Sequence, residues 1–339
     1  MKILVTRKFP AAGLDLLKRA GEVNLAEATE DRPVPRDAIL RGVAAADVLV
    51  SLLTEGIDRE ILAAGRNLRG VANYAVGFNN IDVKAATELG LPVSNTPGVL
   101  TDTTADLAWA LLMAAARNLI PADRYLRAGK FKLWGPSLFL GADVSPGGEG
   151  RPKVLGIVGF GRIGQAVFRR SRGFEMRVLA FDPPLRDLIE RTEGVEYAEL
   201  PQLLRESDFV TIHTDLNPGT RHLFNAAAFE QMKPTAFLIN TARGPIVDEK
   251  ALVEAVRARR IAGAGLDVYE NEPEMAPGLA ELDNVVVVPH IASASRDTRN
   301  KMATMCAENA LAHLERRRAP NCVNPEIYQS DAYRQRIAR

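Results

Sequence analysis

Three side chains in the last third of the chain could together hold an anion and move a proton. They are Arg243 in F-L-I-N-T-A-R-G-P-I-V-D, Glu272 in G-A-G-L-D-V-Y-E-N-E-P and His290 in N-V-V-V-V-P-H-I-A-S-A-S. The chain has only four histidines, and a lone histidine at a strand end is more often structural than catalytic. The two companions change that reading. An imidazole can give a proton to a carbonyl oxygen, and a guanidinium can hold a carboxylate and a developing oxyanion. A carboxylate can fix the imidazole in one tautomer and raise its pKa. Reduction of a small 2-keto acid needs these groups, with the hydride left to a cofactor.

The cofactor has its own signal in V-L-G-I-V-G-F-G-R-I-G-Q-A-V at 154–167. An apolar strand ends at Val158, and Gly159-x-Gly161-x-x-Gly164 leads into an amphipathic helix. Gly159 permits a tight turn, Gly161 lets the backbone approach a pyrophosphate, and Gly164 lets helix pack on strand. The helix N-terminus adds amides and a positive dipole end. A bare glycine pattern is weak, but this one has the flanking strand and helix that the mechanism requires. The next strand ends at Asp182, 18 residues beyond Gly164. A carboxylate there accepts both ribose hydroxyls and repels a 2′-phosphate, so NAD is expected over NADP. Pro183 and Pro184 supply no cation for that phosphate, although Arg186 is close by.

Short β-branched runs alternate with helical patterns throughout, which predicts α/β architecture with parallel sheets. In the first hundred residues strands are expected at Lys2–Thr6, Asp47–Ser51, Leu68–Asn73 and Val93–Asn95, with helices such as Ala11–Ala20 and Arg59–Ala64 between them. A second series is expected at Val154–Val158, Arg177–Asp182, Phe209–His213, Ala236–Asn240, Gly263–Asp267 and Val285–Val288. Thr101–Leu119 reads as one long buried helix capped by Thr101 or Asp102, and the Gly- and Pro-rich stretch between Gly141 and Pro152 reads as a surface loop. In an open sheet of this kind ligands bind beyond the carboxyl ends of the strands, where Arg243, Glu272 and His290 all fall.

The 339 residues suit two domains. A balance of 43 basic and 42 acidic residues lacks the electrostatic footprint of a dedicated nucleic-acid binder, so none is expected as partner. The basic runs at Arg257, Arg259 and Arg260, and at Arg316–Arg318, are read as solvated helix ends. Only Cys306 and Cys322 are present, so neither a disulfide framework nor a CxxC metal pattern is expected, and no metal site has ligand spacing. The N-terminal apolar run is too short for a signal peptide, and Leu107–Ala116 is too short to span a bilayer. The expected location is therefore the cytoplasm, with no membrane contact.

Several motifs in order carry a family resemblance over nearly the whole chain, to about Asn324. N-Y-A-V-G-F-N-N-I-D (73–82), N-T-P-G-V-L-T-D-T-T-A-D-L-A-W-A-L-L (95–112), V-G-F-G-R-I-G-Q-A (158–166), N-T-A-R-G-P-I-V-D (240–248), A-G-L-D-V-Y-E-N-E-P (264–273) and P-H-I-A-S-A-S (289–295) resemble the D-isomer-specific 2-hydroxyacid dehydrogenases, most of all the glyoxylate and hydroxypyruvate reductases. The resemblance implies two Rossmann-like or flavodoxin-like doubly wound domains with a cleft between them whose closure excludes water. Residues 1–100 plus 291–339 would bind substrate, and 101–290 would bind NAD. Thr101–Leu119 and the helix near Ser295–Arg316 would be the hinge segments. It implies His290 as general acid/base, Glu272 as its partner, and Arg243 as the cation for substrate, helped by backbone amides around Val76 and Gly77. Asp267 and the backbone of Thr241–Ala242 would face the nicotinamide end, Thr104 would sit near the cofactor, and Arg162 and Ile163 would cover the pyrophosphate.

The F-K-L-W-G-P segment (131–136) resembles a stretch that reaches a neighbouring subunit's site in the glyoxylate reductase branch. That implies a homodimer, with Trp134 either trimming substrate size or packing plainly at the interface. There are departures from the pattern. T-D-L-N at 214–217 stands where a proline-containing phrase is usual, which puts Asp215 near the expected adenine side. Ala292 stands where glycine is common, and the 142–152 loop is slightly long. The alternatives are a family neighbour acting on phosphoglycerate, D-lactate, formate or phosphite, and a non-enzymatic NAD-binding corepressor-like protein. Val76, where phosphite dehydrogenases carry lysine, counts against phosphite, and the expected partner remains a small 2-keto or 2-hydroxy acid.

Overall fold

The computed structural model describes residues 1–27, 32–147 and 150–338. Gly148 and Glu149, inside the loop expected at 141–152, lie outside the described residues; 141–147 carries no helix or strand. The chain divides into two units, Met1–Leu100 with Ala294–Arg339, and Thr101–Ser293.

In the first unit, β1 (Lys2–Arg7), β2 (Glu22–Glu27), β3 (Val48–Ser51), β4 (Val71–Asn73) and β5 (Val93–Ser94) pair in parallel in the order β2-β1-β3-β4-β5. Alternate residues of these apolar strands feed two cores, because successive side chains leave opposite faces of a sheet. Ile3, Val5, Val48, Val50 and Ala72 pack with Met302, Ala303, Cys306, Ala307 and Ala310 of the helix Arg296–Leu314. Leu4, Leu49, Val71 and Val93 face Ile39, Val43, Ile61, Leu62 and Ala85. The helix Arg296–Leu314 starts at Ser295, whose hydroxyl caps the amide of Thr298. β2 was not anticipated: E-V-N-L-A-E is an edge strand of half-exposed residues, without a continuous apolar run.

In the second unit, β6 (Val154–Val158), β7 (Arg177–Phe181), β8 (Glu196–Tyr197), β9 (Phe209–Ile212), β10 (Phe237–Asn240), β11 (Gly263–Leu266) and β12 (Val285–Val287) form a parallel sheet in the order β12-β11-β10-β9-β6-β7-β8. The strand order reverses between β6 and β9, which makes the carboxyl end of β6 the switch point where doubly wound sheets bind ligands. The helix expected over Thr101–Leu119 is present but ends at Ala116, and a second helix, Leu119–Arg127, follows it. The break comes at Asn118, which adopts a left-handed backbone (φ 52°), a conformation asparagine tolerates better than most residues. The cap expected at Thr101 or Asp102 is not made by Asp102, whose carboxylate pairs instead with Arg169 and Arg170. Trp109, buried in the first of these helices, stacks on Phe174 and donates its indole N–H to the carbonyl of Val167.

Candidate active site

β10, β11 and β12 are consecutive neighbours, so their carboxyl ends lie side by side and each runs into a turn. Those turns carry Arg243, Glu272 and His290. His290 Nδ1 lies 2.9 Å from Glu272 Oε2, while Glu272 Oε1 accepts the amide of Tyr269 at 3.1 Å. The pair is partly open to solvent, with side-chain exposures of 26% and 32%. His290 has φ 52°, a left-handed conformation that costs a non-glycine residue about 1 kcal/mol or more. Its surroundings hold it there: its amide donates to the carbonyl of Asp267 at 2.9 Å.

Asp267 is fully buried at the end of β11 and spends both carboxylate oxygens on the loop that carries the histidine. The amides of Ile291 and Ala292 donate to them at 2.5 and 2.8 Å. Tyr269 adds a second tie, its hydroxyl donating to the carbonyl of Val288 at 2.8 Å. Burial pushes the Asp267 carboxyl up, and the two amides and His290 work against that. Burial also raises Glu272, but the hydrogen bond and charge of His290, the Tyr269 amide and Arg243 outweigh it, so the carboxyl sits below its ordinary range. Glu272 therefore stays an anion against the imidazole.

Arg243 follows β10, and its carbonyl accepts from the side chain of Asn240 at 3.0 Å, which shapes the turn. Its own guanidinium donates to the carbonyl of Ala242 at 2.7 Å. Burial lowers the Arg243 pKa, while Glu272 and Asp215 support the charge. Asp215, expected toward the adenine side, thus acts on Arg243. The next residue was missed as part of the site. A Cβ on Gly244 would lie 1.8 Å from the carbonyl oxygen of Tyr269 and 2.5 Å from the amide of Glu270. The arginine turn and the glutamate loop therefore touch backbone to backbone, and only glycine allows it. Glu249, also missed, is buried and accepts the amides of Glu270 at 2.9 Å and Ala276 at 3.0 Å, gripping the Glu272 loop at both ends. No side-chain spacing in the sequence announces either contact.

At the switch point, Gly159 has φ 94°, and a Cβ there would come within 2.5 Å of the backbone of His213 and Thr214. A Cβ on Gly164 would meet the carbonyl of Gly159 at 2.1 Å, whereas one on Gly161 would enter open space. The glycines thus divide into two that pack and one that leaves room. The helix Arg162–Ser171 begins at Gly161 with no side-chain cap on its first amides, those of Arg162, Ile163 and Gly164. Asp182 holds the loop by accepting the amide of Phe160 on Oδ2 at 2.8 Å. Arg186 is committed elsewhere, donating to Glu190 at 2.7 Å with its guanidinium 4.5 Å over the Tyr197 ring. Thr104 is buried. The hydroxyl of Thr241 is buried and has no hydrogen-bond partner among the described residues, which leaves a polar atom for a bound group to satisfy. The amide of Ala242 is taken by the side chain of Asn240 at 3.0 Å. An uncapped helix start, an open glycine, a carboxylate at the end of β7 and an orphaned hydroxyl together fit a dinucleotide.

In the first unit, Val76 and Gly77 lie in the loop after β4. The amides of Val76, Gly77 and Phe78 donate to no acceptor among the described residues. Trp134 and Leu133 are 72% and 84% exposed, in one stretch with exposed Leu119, Ile120, Leu126 and Leu140. Among the described residues no cluster of His, Cys, Asp or Glu could hold a metal, and no helix is long and apolar enough to cross a membrane.

A sequence model of the D-isomer specific 2-hydroxyacid dehydrogenase NAD-binding domain matches residues 109–292. A glyoxylate reductase from Korarchaeum cryptofilum is 50% identical over 329 residues, spanning 96% of both chains. A crystal structure of a Thermus thermophilus protein, 42% identical, superposes with a TM-score of 0.87 over 95% of this chain and 100% of that one. An NADPH-dependent glyoxylate/hydroxypyruvate reductase from Sinorhizobium meliloti, solved with NADP and malonate, is 32% identical with a TM-score of 0.79 over 96% and 97% of the two chains.

Proposed function

The chain belongs to the D-isomer specific 2-hydroxyacid dehydrogenase family, and on that premise we propose that Arg243, Glu272 and His290 carry out the reduction of glyoxylate or hydroxypyruvate, with NADH as the preferred donor. The protein is an oxidoreductase that reduces a small 2-keto acid with a nicotinamide cofactor. The single observation that carries the assignment of roles is the 2.9 Å contact between Glu272 and His290 Nδ1. That contact leaves Nε2 as the nitrogen that exchanges the substrate proton. His290 gives a proton to the carbonyl oxygen during reduction and takes one back in the reverse direction. Glu272 holds the ring in one orientation through Nδ1. Arg243 binds the carboxylate and draws charge onto the carbonyl oxygen, and the amides of Val76 and Gly77 are proposed as carboxylate donors.

The second unit takes the cofactor: the uncapped amides of Arg162 and Ile163 face the pyrophosphate, Asp182 the ribose, Asp267 and the backbone of Thr241 and Ala242 the nicotinamide end, and Thr104 lies near the cofactor. When bound, the nicotinamide supplies the hydride that reduces the carbonyl carbon. NAD is favoured over NADP because Asp182 repels a 2′-phosphate and Arg186 is already paired with Glu190 and stacked on Tyr197. The exposed apolar side chains of Leu119, Leu126, Leu133, Trp134 and Leu140 support a homodimer that covers them. Two unpaired cysteines fit the reducing cytoplasm. The test is NADH oxidation at about 340 nm with glyoxylate, hydroxypyruvate, pyruvate and 2-ketoisocaproate, repeated with NADPH. Fast turnover of one of the first two with NADH is expected. No turnover of any keto acid by protein that binds NADH would overturn the reading.

A further inference from the structure

We infer that Asn73 and Asn95 are positioning residues that aim the peptide amides of the loop after β4 at the substrate carboxylate. The inference rests on the function proposed above. Three successive carbonyls of that loop are held from behind: Ala75 by the amide of Thr96 at 2.9 Å, Val76 by Asn95 Nδ2 at 2.7 Å, and Gly77 by Asn73 Nδ2 at 2.9 Å. These peptides are trans, so each N–H points opposite to the carbonyl of its own peptide unit. Drawing the carbonyls of 75, 76 and 77 toward the scaffold turns the N–H groups of Val76, Gly77 and Phe78 the other way. Those are the three amides that donate to nothing among the described residues. A row of unpaired amides turned one way is an anion-binding concavity.

Gly77 by itself does not fix this orientation. The Val76–Gly77 peptide can flip by changing one angle at Val76 and one at Gly77, and glycine accepts either sign of φ. The asparagines supply the missing constraint, and both are themselves anchored. Asn73 ends β4, fully buried, and its Oδ1 accepts from Ser51 at 3.0 Å. Asn95 follows β5, the strand next to β4, and is tied through its backbone. Its amide donates to Asn321 at 3.1 Å, and its carbonyl accepts from Asn309, a fully buried side chain of the helix Arg296–Leu314, at 2.9 Å. Removing the Asn95 side chain leaves both backbone ties in place.

The test compares Asn95→Ala and Asn73→Ala with the native protein. It reads KM and kcat for glyoxylate and hydroxypyruvate, inhibition by oxamate (a carboxylate that is not reduced), NADH affinity by fluorescence, and thermal melting as the check on folding. Each variant is expected to raise KM and the oxamate inhibition constant together by about five- to twentyfold, the worth of one hydrogen bond to a fixed group. NADH affinity should stay within about twofold and kcat at saturation within about threefold. If Asn95→Ala fails to fold, Asn73→Ala carries the same expectation through the carbonyl of Gly77. A folded variant with unchanged KM, or one whose KM and NADH affinity worsen alike, overturns the assignment. Native protein that turns over no keto acid overturns the proposed function instead.

Discussion

In the second domain a guanidinium, a carboxylate and an imidazole follow the ends of three adjacent strands, with the carboxylate of Glu272 against the imidazole of His290. In the first domain the loop after β4 offers peptide amides, and the residues that matter stand behind them. Proton transfer and charge stabilisation need particular side chains, so they leave letters in the sequence. Binding through backbone leaves almost none, because any residue supplies an N–H. The supporting asparagines look like ordinary turn residues until their partners are seen.

The two domains can be separated by experiment. The largest effect is expected from Arg243→Gln, which keeps size and loses charge: kcat/KM for glyoxylate should fall by about 10³-fold or more, with NADH affinity little changed. A loss no greater than that of Asn95→Ala would erase the contrast between charged side chains and oriented amides. Asp182→Ala should be milder, weakening NADH binding about tenfold and relaxing discrimination against NADPH. Unchanged cofactor preference, measured as the ratio of kcat/KM values, would count against the ribose assignment.

The smallest effect concerns the imidazole of the first domain, which is the counterpart of His290 in residue type alone. His313 is buried, its Nε2 lies 3.0 Å from the Ser94 hydroxyl, its Nδ1 has no partner among the described residues, and burial pushes its pKa down to about 4. The ordinary value is about 6.5, so between those limits the unfolded chain takes up a proton that the folded one refuses. Stability should therefore be at its full value above about pH 6.5 and decline as the pH falls toward 4, by at most about 3 kcal/mol from this group. Urea unfolding across that window should show the decline, and His313→Gln should flatten it. A slope unaltered by the substitution would mean that the ring is not the source.

Much of this was legible before any coordinates. The strands at Val154–Val158, Arg177–Phe181 and Phe209–Ile212 were found to within a residue because doubly covered parallel strands are continuous apolar runs. β8 escaped because it is two residues at a sheet edge. The helix expected over Thr101–Leu119 stops at Ala116, and the second helix Leu119–Arg127 escaped, because the break depends on one left-handed asparagine in a sequence otherwise rich in helix formers. In the site, Arg243, Glu272 and His290 were visible by type and by their places after strands. The fit of Gly244 against the Tyr269–Glu270 peptide was not, since a close backbone approach is a property of the folded chain. Asp267 was visible as a residue, but its hold on the amides of Ile291 and Ala292 was not.

The most direct test of the central claim is kcat for glyoxylate reduction by His290→Asn, measured beside NADH binding by fluorescence on the same protein. The account predicts a fall of about 10²- to 10³-fold with NADH affinity intact, because the variant keeps a polar side chain and loses the proton donor. Near-native kcat in a folded variant would contradict it, and the proton would have to come from elsewhere.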